Sequence, residues 1–170
     1  GIGRFTPFLA ERALSVVAVD FIEKFIRKNE EVNHGLGNVS FVCEDVTVME
    51  LAAASVDLVF SNWLLMYLND TEVAIFAQKC LEWLTVGGHV YFRESCYSKS
   101  GNKPRLGENP THYRLPEDYN RPFMAARAAA ASGRTATTSQ FRLVSCQCVP
   151  AYAEEKGNQG QLCWLWEKIE

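Results

Sequence analysis

The chain has 170 residues, 48% of them apolar, with 17 basic against 20 acidic side chains and a net charge of −3. That is enough chain for one core, and the modest negative charge excludes a general nucleic-acid surface, so an anionic partner has to be met by a local basic cluster. No apolar run approaches the ~20 residues that cross a bilayer, so no membrane insertion is expected, and the cytoplasm is the expected location.

The chain opens on Gly1-Ile2-Gly3-Arg4-Phe5-Thr6. Two glycines one residue apart let backbone N–H groups approach a ligand that a Cβ would push away. The strand that should feed this loop is absent, so the sequence reads as a fragment lacking its first strand. Phe5, Phe8 and Leu9 have the spacing of a short helix, and residues 14–19 form an apolar run of strand length that ends in Asp20. Residues 21–34 carry Phe21, Ile22, Phe25 and Ile26 on one side and read as an amphipathic helix. Residues 38–43 are the next strand, running into Glu44 and Asp45, and residues 55–61 the one after it. Asn69-x-x-Glu72 is a capping box ahead of a helix bearing Val73, Phe76, Ala77, Cys80 and Leu84, which Gly87-Gly88 should end. Residues 89–95 follow as a strand, 96–116 as a long polar loop, and 117–139 as a helix followed by a weakly specified loop around the alanine tract. Residues 140–150 and 161–169 read as an antiparallel hairpin across the turn-rich 154–160. The six cysteines lack Cys-x-x-Cys pairs and nearby histidines at ligand spacing; reduced, buried thiols and no metal site are expected.

Alternation of strand and helix over residues 1–95 predicts an α/β fold with a doubly wound, mostly parallel, Rossmann-like sheet in one domain spanning 1–170, closed by the C-terminal hairpin. In such folds ligands gather at the carboxyl ends of the strands. Gly1, Gly3, Asp20 with Phe21, Asp45 with Val46, and Asn62 with Trp63 are the candidate cofactor residues there. Asp20 can accept ribose hydroxyls, and Asp45-Val46 suits an adenine amino group and ring. Dehydrogenases share the glycine loop, but Thr6 stands where their third glycine or alanine belongs. S-adenosyl-L-methionine is therefore preferred to a nicotinamide. The plainer alternatives are a tight turn at the glycines and a helix cap at Asp20.

Six blocks then carry a resemblance: Gly1 to Thr6, Val17 to Glu23, Phe60-Ser-Asn-Trp-Leu-Leu-Met-Tyr-Leu68, Phe92-Arg-Glu-Ser-Cys96, Asn109-Pro-Thr-His-Tyr-Arg114 and Gln161-Leu-Cys-Trp-Leu-Trp166. In this order the chain resembles the N-terminal methyltransferase domain of the phosphoethanolamine N-methyltransferases, most closely the plant-type tandem enzymes, and the resemblance fades over residues 117–139. It implies a class I methyltransferase fold and S-adenosyl-L-methionine-dependent methylation of phosphoethanolamine on the way to phosphocholine. It also implies a second methyltransferase domain in the full-length protein. Tyr67 falls where single-domain members place a histidine, which favours positioning by its hydroxyl over general-base work. A phosphomonoester carries about −1.5 to −2 charge and wants charge-assisted donors. His112, Tyr113 and Arg114 are the first candidates for it and Lys168 a weaker one, with Lys99, Lys103 and Arg105 as further cations of the loop. Two alternatives stay open: another small amine as substrate, and a non-catalytic remnant.

Overall fold

The computed structural model describes residues 1–96, 111–129 and 138–170, and these belong to two compact units, Gly1–Glu50 and Leu51–Glu170. Lys99, Lys103, Arg105 and most of the alanine tract lie outside the described residues. In the first unit, α1 (Thr6–Ala10), β1 (Val16–Asp20), α2 (Glu23–Asn33) and β2 (Val39–Cys43) follow one another. β1 and β2 pair in parallel, from Val16↔Val39 to Asp20↔Cys43. Two parallel neighbours need a crossover, and α2 supplies it, turning Ile26, Asn29 and Asn33 inward. Both strands therefore end on the same side, with Asp20 and then Asp45 at their carboxyl ends.

The second unit is built on a five-stranded sheet of order β3-β4-β7-β6-β5. Its elements are β3 (Val56–Asn62), a 3-10 turn (Leu65–Tyr67), α3 (Asp70–Trp83), β4 (Leu84–Ser95), α4 (Pro116–Ala125), β5 (Ala128–Ala129), β6 (Thr138–Cys148), α5 (Pro150–Lys156) and β7 (Gln161–Ile169). β3 and β4 are parallel; β7 runs antiparallel between β4 and β6. The capping box forms as the sequence predicts: Glu72 N–H donates to Asn69 Oδ1 at 3.0 Å and Asn69 N–H to Glu72 Oε2 at 2.7 Å. Two boundaries move. α3 stops at Trp83, before the glycine pair, because Leu84 turns extended and is fully buried as the first residue of β4. Gly87 and Gly88 instead lie inside β4, where the register with β3 shifts between Val56 and Leu58. Gly87 takes φ +83° there, and a Cβ on Gly88 would press on the Thr85 and Asp57 carbonyl oxygens. The connection between β6 and β7 is likewise more than a turn, since Pro150 opens the helix α5 before Gly157 closes it at φ +59°.

One face of the sheet is walled by aromatics. Phe92 of β4 stacks on Trp164 of β7 at 4.8 Å and on Phe123 of α4 at 5.0 Å, and Phe123 stacks on Trp166 at 5.7 Å. Strand alternation brings Trp164 and Trp166 to this face together, and both rings are buried, each removing a large apolar area from water. The thiols are free, but Cys43, Cys146 and Cys148 are exposed, unlike the expected burial; only Cys80 and Cys96 are buried. Cys43 is the last residue of β2, and Cys146 and Cys148 lie at the end of β6, where Cys146, Gln147 and Cys148 are all exposed. Among the described residues no helix is long and apolar enough to cross a membrane.

Candidate functional site

In the first unit the glycine loop is set by a buried amide pair. Asn33 Nδ2 donates to Asn29 Oδ1 at 2.9 Å and to the Gly3 carbonyl at 3.3 Å. Gly3 has φ +87°, and a Cβ there would overlap the Asn29 and Asn33 side chains, so glycine is required twice over. Asp20 accepts the Ile22 N–H at 2.8 Å through Oδ1, tying the strand end to the start of α2, while Oδ2 is ion-paired to the Gly1 ammonium. Phe21 beside it is exposed. Asp45 folds back on itself: its Oδ1 accepts the N–H and the hydroxyl of Thr47, both at 2.8 Å, with Val46 half-buried between them. That is the local turn an aspartate commonly makes, and it fixes the carboxylate at the carboxyl end of β2.

In the second unit the candidates collect on the turn that leaves β3. Asn62 ends the strand opposite Arg93, and Trp63 follows in the left-handed region at φ +54°, an uncommon place for a bulky side chain. Almost every backbone polar group of the turn has a partner. Trp63 N–H donates to the Arg93 carbonyl at 2.9 Å, Tyr67 N–H to Leu64 at 2.9 Å and Leu68 N–H to Leu65 at 3.2 Å. The intervening three N–H groups have no backbone acceptor among the described residues; the Glu94 carboxylate takes them all, from Leu64 at 2.9 Å, Leu65 at 2.8 Å and Met66 at 3.3 Å. From the other side Arg114 donates to the Leu65 carbonyl at 2.9 Å, the Leu68 carbonyl at 2.6 Å and Asp70 Oδ1 at 2.8 Å. His112 N–H completes the set on the Met66 carbonyl at 2.7 Å.

Glu94 is fully buried. Burial disfavours its charge, and although three N–H bonds and the Arg114 charge pull the other way, burial wins and raises the carboxyl from 4.5 to about 7. The guanidinium of Arg114 also lies over the Tyr119 ring at 5.7 Å, and burial beside Glu94 drives the Tyr119 phenol up. Trp63 is fixed by its own ring: Nε1 donates to Gln161 Oε1 at 3.0 Å, and Gln161 Nε2 to Ser95 Oγ at 2.8 Å. Arg93 covers Trp63 at 5.0 Å and Tyr152 of α5 at 5.3 Å.

The structure thus brings Asn62, Trp63, Tyr67, His112, Tyr113 and Arg114 to one turn, with the Tyr67 side chain half-exposed and the Tyr113 hydroxyl buried with no hydrogen-bond partner among the described residues. Two phosphate expectations change. Arg114 is only 7% exposed and turned inward, its donors spent on Leu65, Leu68 and Asp70, so it braces the turn rather than facing a ligand. Lys168 sits at the far end of β7, where its ammonium donates to the Leu84 carbonyl at 2.8 Å at the amino end of β4, opposite the strand ends that carry the turn. Glu94, which the sequence does not single out as a site residue, makes three hydrogen bonds to the turn. The hint of it is an acid at the end of the strand-length run Val90-Tyr91-Phe92-Arg93, which does not say inward or outward.

A model of a methyltransferase domain family matches residues 1–92. Phosphoethanolamine N-methyltransferase of Triticum aestivum is 50% identical over 99% of this chain and 33% of its own length. Phosphoethanolamine N-methyltransferase 3 of Arabidopsis thaliana is also 50% identical, over 99% of this chain and 34% of its own. Among solved structures, Haemonchus contortus phosphoethanolamine N-methyltransferase 1 in complex with phosphoethanolamine and S-adenosylhomocysteine superposes with a TM-score of 0.91 at 39% identity, covering 99% of this chain and 37% of that one. A S-adenosylmethionine-dependent methyltransferase of Methanosarcina mazei, at 14% identity and a TM-score of 0.76 over 99% of this chain and 89% of its own, shares the fold. The chain spans about a third of the length of the curated relatives it matches.

Proposed function

The chain belongs to the methyltransferase domain family matched by its first 92 residues, and from that premise we propose that it serves S-adenosyl-L-methionine-dependent N-methylation of phosphoethanolamine. The observation that carries this reading is the 50% identity to phosphoethanolamine N-methyltransferases over 99% of the chain. The first unit's residues fit the cofactor. Gly3 offers backbone without a Cβ, its place taken by the Asn29–Asn33 pair, and Asp20 and Asp45 stand fixed at successive strand ends. Gly1, Gly3 and Asp20 would hold the adenosyl and ribose groups with Phe21 alongside, and Asp45 and Val46 the adenine. Once bound, the cofactor supplies an electrophilic methyl group on a sulfonium.

The remaining work of the reaction is to hold the amine in line, keep water out and take up a proton, since an ammonium with a pKa of about 10 has no lone pair to offer at neutral pH. Tyr67, half-exposed on a fixed turn, would orient the amine through its hydroxyl. His112 and Tyr113 would meet the phosphate; the buried Tyr113 hydroxyl, which has no partner among the described residues, favours this, because such a group is costly without a hydrogen-bond partner. A cytoplasmic location and a second methyltransferase domain elsewhere in the whole protein belong to the same proposal.

Calorimetric titration tests it. S-adenosylhomocysteine is expected to bind the chain, and phosphoethanolamine to bind the loaded protein at least about tenfold more tightly than ethanolamine, a difference of roughly 1.4 kcal/mol. Equal affinity for the two amines would overturn the phosphobase assignment, and absence of cofactor binding the methyltransferase reading.

A further inference from the structure

The turn at residues 63–68 is held by two buried ionic side chains that the proposed chemistry never touches. A single 3-10 turn has poor hydrogen-bond geometry of its own, and a tryptophan in the left-handed region persists only where its surroundings over-determine it. Glu94 and Arg114 supply that determination from opposite sides, one by accepting three N–H groups and the other by donating to two carbonyls. Stability alone is a poor reason for the arrangement, because a buried charge often costs more to desolvate than its partners return. Resting on the methyltransferase reading above, we propose that Glu94 is a positioning residue for methyl transfer: its carboxylate, with Arg114, fixes the backbone that carries Trp63 and Tyr67.

The ionised form matters because it accepts at both oxygens. A proton on either oxygen turns an acceptor into a donor facing N–H groups, and the turn loses part of its hold. Arg114 favours the carboxylate, whereas Tyr119 of α4 and Cys96 at the end of β4 are the other titratable groups in its field; Asp70, at the start of α3, meets Arg114 instead. Because burial brings the carboxyl to about 7, the hold is strongest above neutrality.

Glu94→Gln keeps the volume and one acceptor oxygen but places an NH2 group against the remaining donors. In the parent chain the amide proton resonances of Leu64, Leu65 and Met66 are expected to move together on titration, with one midpoint near 7, and in the variant to stay flat. At pH well above that midpoint the variant's kcat for phosphoethanolamine should drop by about tenfold or more, with KM for either substrate within about twofold, because misplacement affects the reacting geometry more than binding. Its thermal midpoint should be no lower than the parent's. An unchanged kcat, or a loss that tracks the unfolded fraction, would overturn the positioning role. If the parent chain methylates neither amine, the methyltransferase reading fails separately; three amides that do not titrate overturn the hold by Glu94 whatever the activity.

Discussion

Gly3 at φ +87° and Trp63 at φ +54° hold the same kind of left-handed backbone by opposite means. Gly3 reaches it by having no side chain, with the Asn29–Asn33 pair occupying the vacated space. Trp63 reaches it with one of the largest side chains, because its N–H, its ring nitrogen and the turn after it are all tied to groups from elsewhere in the unit. The first solution is written in the residue itself. The second depends on Glu94, 28 to 30 positions away from the N–H groups it accepts, and on Arg114, 46 to 49 positions from the carbonyls it serves. A loop made by omission is easy to recognise and easy to break at one site, whereas a loop made by bracing fails at its braces.

The largest expected effect is at a brace. Arg114→Ala strips the Leu68 carbonyl of its donor, leaves the Leu65 carbonyl with the Leu68 N–H alone, and removes the cation from the field of buried Glu94, so unfolding free energy should fall by about 4 kcal/mol. Urea denaturation reads this, and a loss below ~1 kcal/mol would mean that the turn does not need Arg114. Next is the vacancy: Gly3→Ala forces a Cβ onto the amide pair at a backbone angle that disfavours it. A loss of about 2–3 kcal/mol is expected, together with weaker S-adenosylhomocysteine binding in calorimetry. If the variant binds normally, the Asn29–Asn33 pair yields more readily than its burial implies.

The smallest effect is a slope. Burial raises the folded Glu94 carboxyl above its ordinary value, to about 7, so at intermediate pH the folded chain holds a proton that the unfolded chain has lost. The stability contributed by this group is therefore fully present below about 4.5 and lost as pH rises through about 7. Between pH 5 and 8 the parent should lose about 2 kcal/mol more than Glu94→Gln in paired denaturation curves. Parallel curves would show that the carboxyl is not perturbed. The sign opposes function: the ionised form that best fixes the turn is the one folding favours least.

The same division explains what could be read from the amino acids. The parallel pair β1–β2, the capping box at Asn69 and the alternation of Trp164 and Trp166 rest on periodicity and local chemistry, and each is where those rules put it. The glycine loop with Asp20 and Asp45 at strand ends belongs to the same class. Gly87-Gly88 looks like a helix stop because glycine serves both helix ends and bulges, and only the β3 pairing distinguishes them. Arg114 beside His112 and Tyr113 looks like a phosphate ligand because a sequence does not show which way a guanidinium turns. Glu94 is legible as an acid at a strand end but not as a brace, since inward and outward acids at a strand end are written alike.

One feature of the second unit bears on its synthesis. β7 lies between β4 and β6, yet it follows both in the chain. Until Gln161–Ile169 has left the ribosome, β4 and β6 each present an unsatisfied edge, and Phe92 and Phe123 lack Trp164 and Trp166, the rings that complete their stack. The nascent unit must carry this surface uncovered until its last strand emerges, the condition under which chaperone engagement and edge-to-edge misassembly compete with folding. A nascent chain halted just before Gln161 would be the species most in need of protection, and the arrival of nine residues would release it.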